Sequence, residues 1–187
     1  MQARGMTARP PVLPDPGATY RERIALDLAA LNPLVARPPS PGGAVAVGTL
    51  AGQAVDQVYV GNCANGTITD LRQVAAILAG RSIASSVRMI VVPATQAIWR
   101  QALAEGLLET IAAAGAAIST PTCGACFGGH MGILAAGETA IATTNRNFRG
   151  RMGDPASQVF LANAWVAAAS AVAGTIVHPA SIMGNDA

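Results

Sequence analysis

The chain has 187 residues, of which 12% are charged, with a formal net charge of +2 and three cysteines. That length suits one domain with a sizeable core, and so small a net charge excludes nucleic acid as an expected partner. An odd cysteine count excludes a disulfide framework, and the most apolar run, Leu161 to Val177, is interrupted by Asn163, Ser170 and Gly174, so no membrane span is expected.

Residues 1–19 are rich in proline, glycine and arginine and read as a disordered or linker-like tail. They lack the continuous apolar segment of a secretory signal, so a cytoplasmic location is expected. Residues 20–187 read as a single domain. Within it Ile24, Leu26 and Leu28 alternate as in a half-buried strand, and Pro33 stops its extension. The stretch Arg37 to Gly43 is a loop. Val55, Val58 and Val60 lead as a strand into Gly61, and Cys63 follows in the loop GNCANG. Thr67 and Asp70 form a possible capping box for a helix carrying Ile68, Leu71, Val74, Ala75 and Leu78 up to Gly80.

Val87 to Val92 is a short β-branched strand ended by Pro93, and Thr95 caps a helix that runs to Gly106. A second short helix covers Leu107 to Ala114, and Ala116 to Ser119 is a short strand delivering the chain to Cys123. After the glycine-rich segment FGGHMG, Thr139 to Thr143 is another strand, which hands over to the polar loop TTNRNFRGRMG. Asp154 and Pro155 supply cap and first turn for a helix to about Ala171, and Thr175 to Val177 is a last strand. Strands alternating with helices at this spacing predict an α/β fold, a three-layer α/β/α sandwich with ligands in the loops beyond the strand carboxyl ends. All three cysteines sit in such loops.

A C-x-x-C such as Cys123 and Cys126 serves redox pairs, zinc sites and iron-sulfur sites alike. A redox pair usually opens a helix, whereas Phe127, Gly128 and Gly129 follow here. A structural zinc site needs a fourth ligand, and neither His130 nor His178 stands at a familiar spacing. Three thiolates without a fourth suit an iron-sulfur cube with one iron left free of protein thiolate. All twelve basic residues are arginine, three of them close to Asn145, a cluster that suits a generic anion or phosphate site. Asn145 and Asn147 also suit a simple turn.

VGNCANG followed by DLR, then VVP, CGAC and TTNRNFRGR, resembles the aconitase superfamily, and within it most closely the 3-isopropylmalate dehydratase large subunits. Those sequences carry G-S-C-T-N, P-G-C-G-x-C and S-N-R-N-F-x-G-R. This chain departs from them at Asn62, Ala64 and Thr122, while the cysteines, Asn65 and the NRNF-x-GR core match over roughly Tyr20 to Pro179. The resemblance implies the third, C-terminal α/β/α domain of such a subunit, with Cys63, Cys123 and Cys126 holding a 4Fe-4S cluster. It implies that Asn145, Arg146 and Arg151 lie beside the cluster, the arginines gripping a carboxylate of a small di- or tricarboxylic acid. Arg149 falls at the variable position and is expected to be a solvated charge.

The function so implied is the cluster-bearing part of a hydro-lyase of leucine biosynthesis that isomerises a hydroxy-dicarboxylate by dehydration and rehydration. The resemblance also implies partner chains: two preceding large-subunit domains and a small swivelling subunit, which would supply the acid and base. The competing expectations are a non-catalytic iron-sulfur or metal-binding module and an inactive truncated product.

Overall fold

The computed structural model describes residues 5, 7 and 9–184. The expected tail therefore lies partly outside the described residues, as do residues 185–187 of the expected domain. The chain divides into two units after Leu31, beyond the boundary expected at residue 19. In the first unit Asp15 and Ala18 close the PDPG turn, and the Asp27 side chain caps a 3-10 turn at Leu28–Ala30. The strand expected at residues 23–28 is absent from it. Ile24, Leu26 and Leu28 are exposed. Their alternation is a local pattern, and a strand also needs a neighbour to take up its backbone hydrogen bonds.

The second unit is built on a seven-stranded sheet. In chain order its strands are β1 (Leu34–Ala36), β2 (Ala44–Ala46), β3 (Gln57–Gly61), β4 (Arg88–Val92), β5 (Ala117–Ile118), β6 (Thr139–Ala142) and β7 (Gln158–Leu161). Its helices are α1 (Ile68–Leu78), α2 (Gln96–Ala104), α3 (Leu107–Ala113), α4 (Ala164–Ala173) and α5 (Ala180–Met183). The spatial order is β2-β1-β7-β6-β3-β4-β5, with β3 to β7 parallel and the β1–β2 hairpin added antiparallel at the β7 edge.

The order of the strands explains the layers. From β3 the chain steps through α1 to β4 and through α2 and α3 to β5, always in one direction. It then returns across β3 to β6 and β7. Because parallel crossovers are right-handed, the two directions of travel put their connections on opposite faces of the sheet. Val58, Val60, Met89, Val91, Ile141 and Phe160 accordingly form one core with the apolar residues of the helices. Their strand neighbours Tyr59, Ile90, Val92, Ala140, Ala142 and Val159 form a second core with Ala125, Cys126, Leu134 and Met152. The α/β class is as expected, and the third layer consists of the 119–138 and 143–157 loops with one 3-10 turn rather than of α-helices. The reversal of direction falls between β3 and β6, so the loops that leave those two strands diverge at a topological switch point.

Two expected elements differ. Asp154 does not start a helix: its side chain accepts from Ala156 N–H at 2.7 Å in a turn that leads into β7. The helix starts later, where Asn163 Oδ1 accepts from Val166 N–H at 2.9 Å, because a strand edge at β6 claims residues 158–161 first. Thr175 forms a single bridge to Ala54 instead of a strand in the sheet. The β1–β2 hairpin flanks the expected loop at residues 37–43, its three-residue strands being too short to carry a readable alternation.

Candidate functional site

The strand β3 ends at Gly61, whose φ of +92° and close approach to the Val92 carbonyl both require glycine. Asn62 then turns the chain: its Oδ1 accepts from the N–H groups of Ala64 at 2.8 Å and Asn65 at 2.9 Å. Cys63 is exposed on that turn. The expected capping box follows, with Thr67 Oγ1 accepting from Asp70 N–H and the Asp70 carboxylate accepting from Thr67 N–H at 2.9 Å, so α1 begins at a fixed distance from the cysteine.

Cys123 immediately precedes a 3-10 turn at Gly124–Phe127, which Gly128 closes with φ +77°. Cys123 is exposed and Cys126 buried; both are free, as is Cys63. The turn rests on Tyr59 of β3, whose hydroxyl donates to the Cys123 carbonyl at 3.0 Å. Gly124 is required there, since a Cβ would stand 2.7 Å from that hydroxyl oxygen. Burial, and then the charge of Cys126, push the Tyr59 phenol up to about 12. The folded state thus holds the phenolic proton more tightly than the unfolded chain does. The associated stability is present below about pH 10 and is lost as pH rises toward about 12. Urea midpoints of the iron-free protein are expected to fall across that window, and Tyr59→Phe is expected to remove this part of the slope.

The loop after β6 approaches from the other side of β3. Thr143 Oγ1 accepts from Gly61 N–H at 2.8 Å. Asn65 Nδ2 donates to the Thr143 carbonyl and to Asn145 Oδ1, the latter at 3.0 Å. Asn147 is buried, and its Nδ2 donates to the carbonyls of Val159 at 3.1 Å and Ala36 at 3.4 Å, tying the loop to β7 and β1. Arg151 is half-buried, stacked 5.5 Å from the Phe148 ring centroid, with its guanidinium 3.9 Å from Cys126 Sγ. Asn145, Arg146 and Arg149 are exposed. Among the described residues the ion pairs are Arg72 with Glu105 and Arg88 with Glu138, and none of the three loop arginines is in one.

Three loops that are far apart in sequence therefore meet. Asn62 Nδ2 lies 3.5 Å from Cys126 Sγ, which joins the Cys63 turn to the C-x-x-C, and Asn65 with Asn145 joins it to the arginine loop. The sequence marked Asn62 only as a departure from serine and gave it no role, and it gave Tyr59 none. The departure of Asn62 from serine, with its capacity to turn a loop, was the available signal. His130 is exposed beside Thr122 Oγ1 at 3.1 Å, and His178 accepts from Ala180 N–H at the start of α5.

The candidate donors for a metal group on these loops are the three free thiols of Cys63, Cys123 and Cys126. Among the described residues no three His, Cys, Asp or Glu side chains gather around one metal position. A cube takes each thiolate on a different iron, so its cysteines need not converge on a point. Donors already face the sulfur of Cys126, and Arg151 Nε and Thr144 Oγ1 are buried without a partner, as is Asn147 Oδ1. Unpaired buried polar atoms cost free energy, and their presence on the arginine loop points to groups that complete the site.

Behind the cysteine loop lies a polar latch. Buried Gln57 donates from Nε2 to the Gly132 carbonyl at 2.7 Å and accepts from Arg88 Nε at 3.2 Å. Arg88 grips Glu138 with two hydrogen bonds of 2.8 and 2.9 Å, which hold the Glu138 carboxyl below its ordinary range. Gln57→Leu would leave the partly buried Gly132 carbonyl without this partner. It is expected to destabilise the fold by about 1–3 kcal/mol, read as a lowered urea midpoint.

Residues 48–174 match the Aconitase family (aconitate hydratase). The chain is 62% identical over 168 residues to 3-isopropylmalate dehydratase large subunit 2 of Rubrobacter xylanophilus, covering 90% of this chain and 40% of that protein. It is 54% identical over 172 residues to the 3-isopropylmalate dehydratase large subunit of Nitratidesulfovibrio vulgaris (strain Miyazaki F), covering 92% and 41%. The subunit of that name from Heliobacterium modesticaldum is 54% identical over 168 residues, with 90% and 40% covered. The chain thus spans about 40% of the length of these relatives.

Proposed function

The chain belongs to the aconitase family, and on that premise we propose that it is the cluster-bearing part of a 4Fe-4S hydro-lyase of the 3-isopropylmalate dehydratase type. Cys63, Cys123 and Cys126 would hold the cluster, and further segments or chains would complete the active site. Bound there, the cluster would supply a Lewis-acidic iron for the hydroxyl of a hydroxy-dicarboxylate. The observation that carries this reading is that Cys126 Sγ stands within reach of Asn62, from the turn of Cys63, and of Arg151, from the arginine loop.

The chain's own residues have definable tasks. Arg151, anchored on Phe148, presents a planar fork that suits bidentate binding of a substrate carboxylate, and exposed Arg146 adds a second positive charge nearby. Asn145, oriented by Asn65, offers the amide N–H left over from that contact to a substrate oxygen. No side chain in this group is poised as general acid or base, so the proton transfers of dehydration fall to groups from elsewhere. Phe127, Met131, Ile133 and Phe148 are exposed on the same two loops, which supports a partner covering this face. The two preceding large-subunit domains and a small swivelling subunit would be that cover. The placement of this chain as a C-terminal domain, and a cytoplasmic setting, belong to the same proposal. No described helix is long and apolar enough to cross a membrane.

The test is anaerobic reconstitution with iron and sulfide, followed by dehydratase assays on 3-isopropylmalate with and without chains covering the rest of a related large subunit and its small subunit. The expected result is about four irons per chain, with turnover only in the combination. An intact cluster without turnover in any combination would support the non-catalytic module instead. Absence of iron from the wild-type protein would overturn the reading.

A further inference from the structure

Asn62 has a side chain that is almost fully enclosed and uses both ends. Its oxygen is identified by its partners: two backbone N–H groups, of Ala64 and Asn65, point at it, and an amide nitrogen in that place would face two donors. The other end must then be the NH2 group, and it lies 3.5 Å from Cys126 Sγ. One rigid amide thus shapes the turn that carries Cys63 and donates a hydrogen bond to the sulfur of a cysteine 64 positions further along the chain.

We infer that Asn62 is a positioning residue that locks the Cys63 turn and Cys126 into one preorganised unit through an N–H···S hydrogen bond. Serine, the residue of the family pattern at this place, carries a hydroxyl that can still cap the turn, but its side chain is too short to serve the turn and the sulfur together. The donor also withdraws electron density from the sulfur. A cluster bound through Cys126 would therefore have a less negative reduction potential and lose iron more slowly than one without that bond. This consequence rests on the proposed cluster, whereas the hydrogen bond itself does not.

Two measurements on the full chain separate the two ideas. In the iron-free protein, one Asn62 side-chain amide proton is expected to resonate downfield and exchange slowly in 15N-edited NMR, and to return to the ordinary position in Cys126→Ala. In the reconstituted protein, Asn62→Ser and Asn62→Ala are both expected to release iron to a chelator on the order of tenfold faster, with midpoint potentials shifted to more negative values. A displaced amide signal in a wild-type chain that takes up no iron upholds the inference and sinks only the cluster reading. An ordinary amide signal that ignores Cys126→Ala overturns the inference. So does an Asn62→Ser protein that keeps wild-type iron release while Asn62→Ala does not, because Asn62 would then only shape the turn.

Discussion

Replacing Cys63, Cys123 or Cys126 with serine is expected to reduce the iron bound by the anaerobically reconstituted chain from about four atoms to less than about one. The effect should be large at each of the three positions. Serine offers a hydroxyl that stays protonated at neutral pH where cysteine offers a thiolate, and iron-sulfur clusters select the softer sulfur donor. Nothing nearby substitutes for a lost ligand, since among the described residues no group of three His, Cys, Asp or Glu side chains surrounds one metal position. The folded state of the iron-free variants should respond differently. Cys63 and Cys123 are exposed, so their replacements should leave the urea midpoint nearly unchanged, whereas buried Cys126 loses its contact with Asn62. Iron and sulfide analysis alongside the unfolding curves checks both halves. Full iron retention by all three variants would remove the cluster assignment.

Gly61→Ala is expected to be the most damaging substitution in the sheet. Its φ of +92° is a backbone state that side chains disfavour by about 1–2 kcal/mol. A Cβ there would also run into the carbonyl oxygen and carbon of Val92 on β4, backbone atoms held in the parallel ladder and unable to step aside as a flexible side chain would. Overpacking of that kind costs a further 1–3 kcal/mol or so, which together approaches half of a domain stability of about 5–15 kcal/mol. The damage also reaches the site, because Gly61 N–H donates to Thr143 Oγ1 and Asn62 follows directly. Equilibrium unfolding in urea measures the loss, and a change of less than about 1 kcal/mol, small on the scale of point mutants, would show that β3 and β4 lie further apart at this end.

The charged groups present a related contrast. Arg72 and Glu105 form an exposed pair that holds the Glu105 carboxyl down at about 2, and Arg88 and Glu138 pair above the latch. Among the described residues the arginines of the 145–151 loop have no such carboxylate. A positive loop beside the C-x-x-C turn favours anions there, so under the proposed function a carboxylate substrate is favoured by the distribution of charge rather than by its small total.

Much of this molecule was legible in the residues as they stand. The α1 capping box, the strands leading to Gly61 and through residues 88–92, and the three cysteine-bearing or arginine-bearing loops depend on caps, periodicity and turn residues, which act over a few positions. The motifs of Cys63, Cys123, Cys126 and Asn145 to Arg151 identified the family for the same reason. Long-range pairing was not legible. The alternation at Ile24, Leu26 and Leu28 has no strand to pair with among the described residues of its unit, while Gln158–Leu161, hidden between a helix-starting Asp-Pro and an alanine-rich run, is claimed by β6. Nor could spacing reveal that the third layer is made of loops. That follows from the reversal of strand order at β3, and strand order is decided by contacts between segments far apart in the chain. The bonds of Asn62 to Cys126, Tyr59 to Cys123 and Asn65 to Asn145 each join residues more than 60 positions apart. Local residue chemistry thus determined which groups this protein brings to a site. Only the tertiary structure decided which of them touch, because closing such long loops requires the packed sheet that holds their ends together.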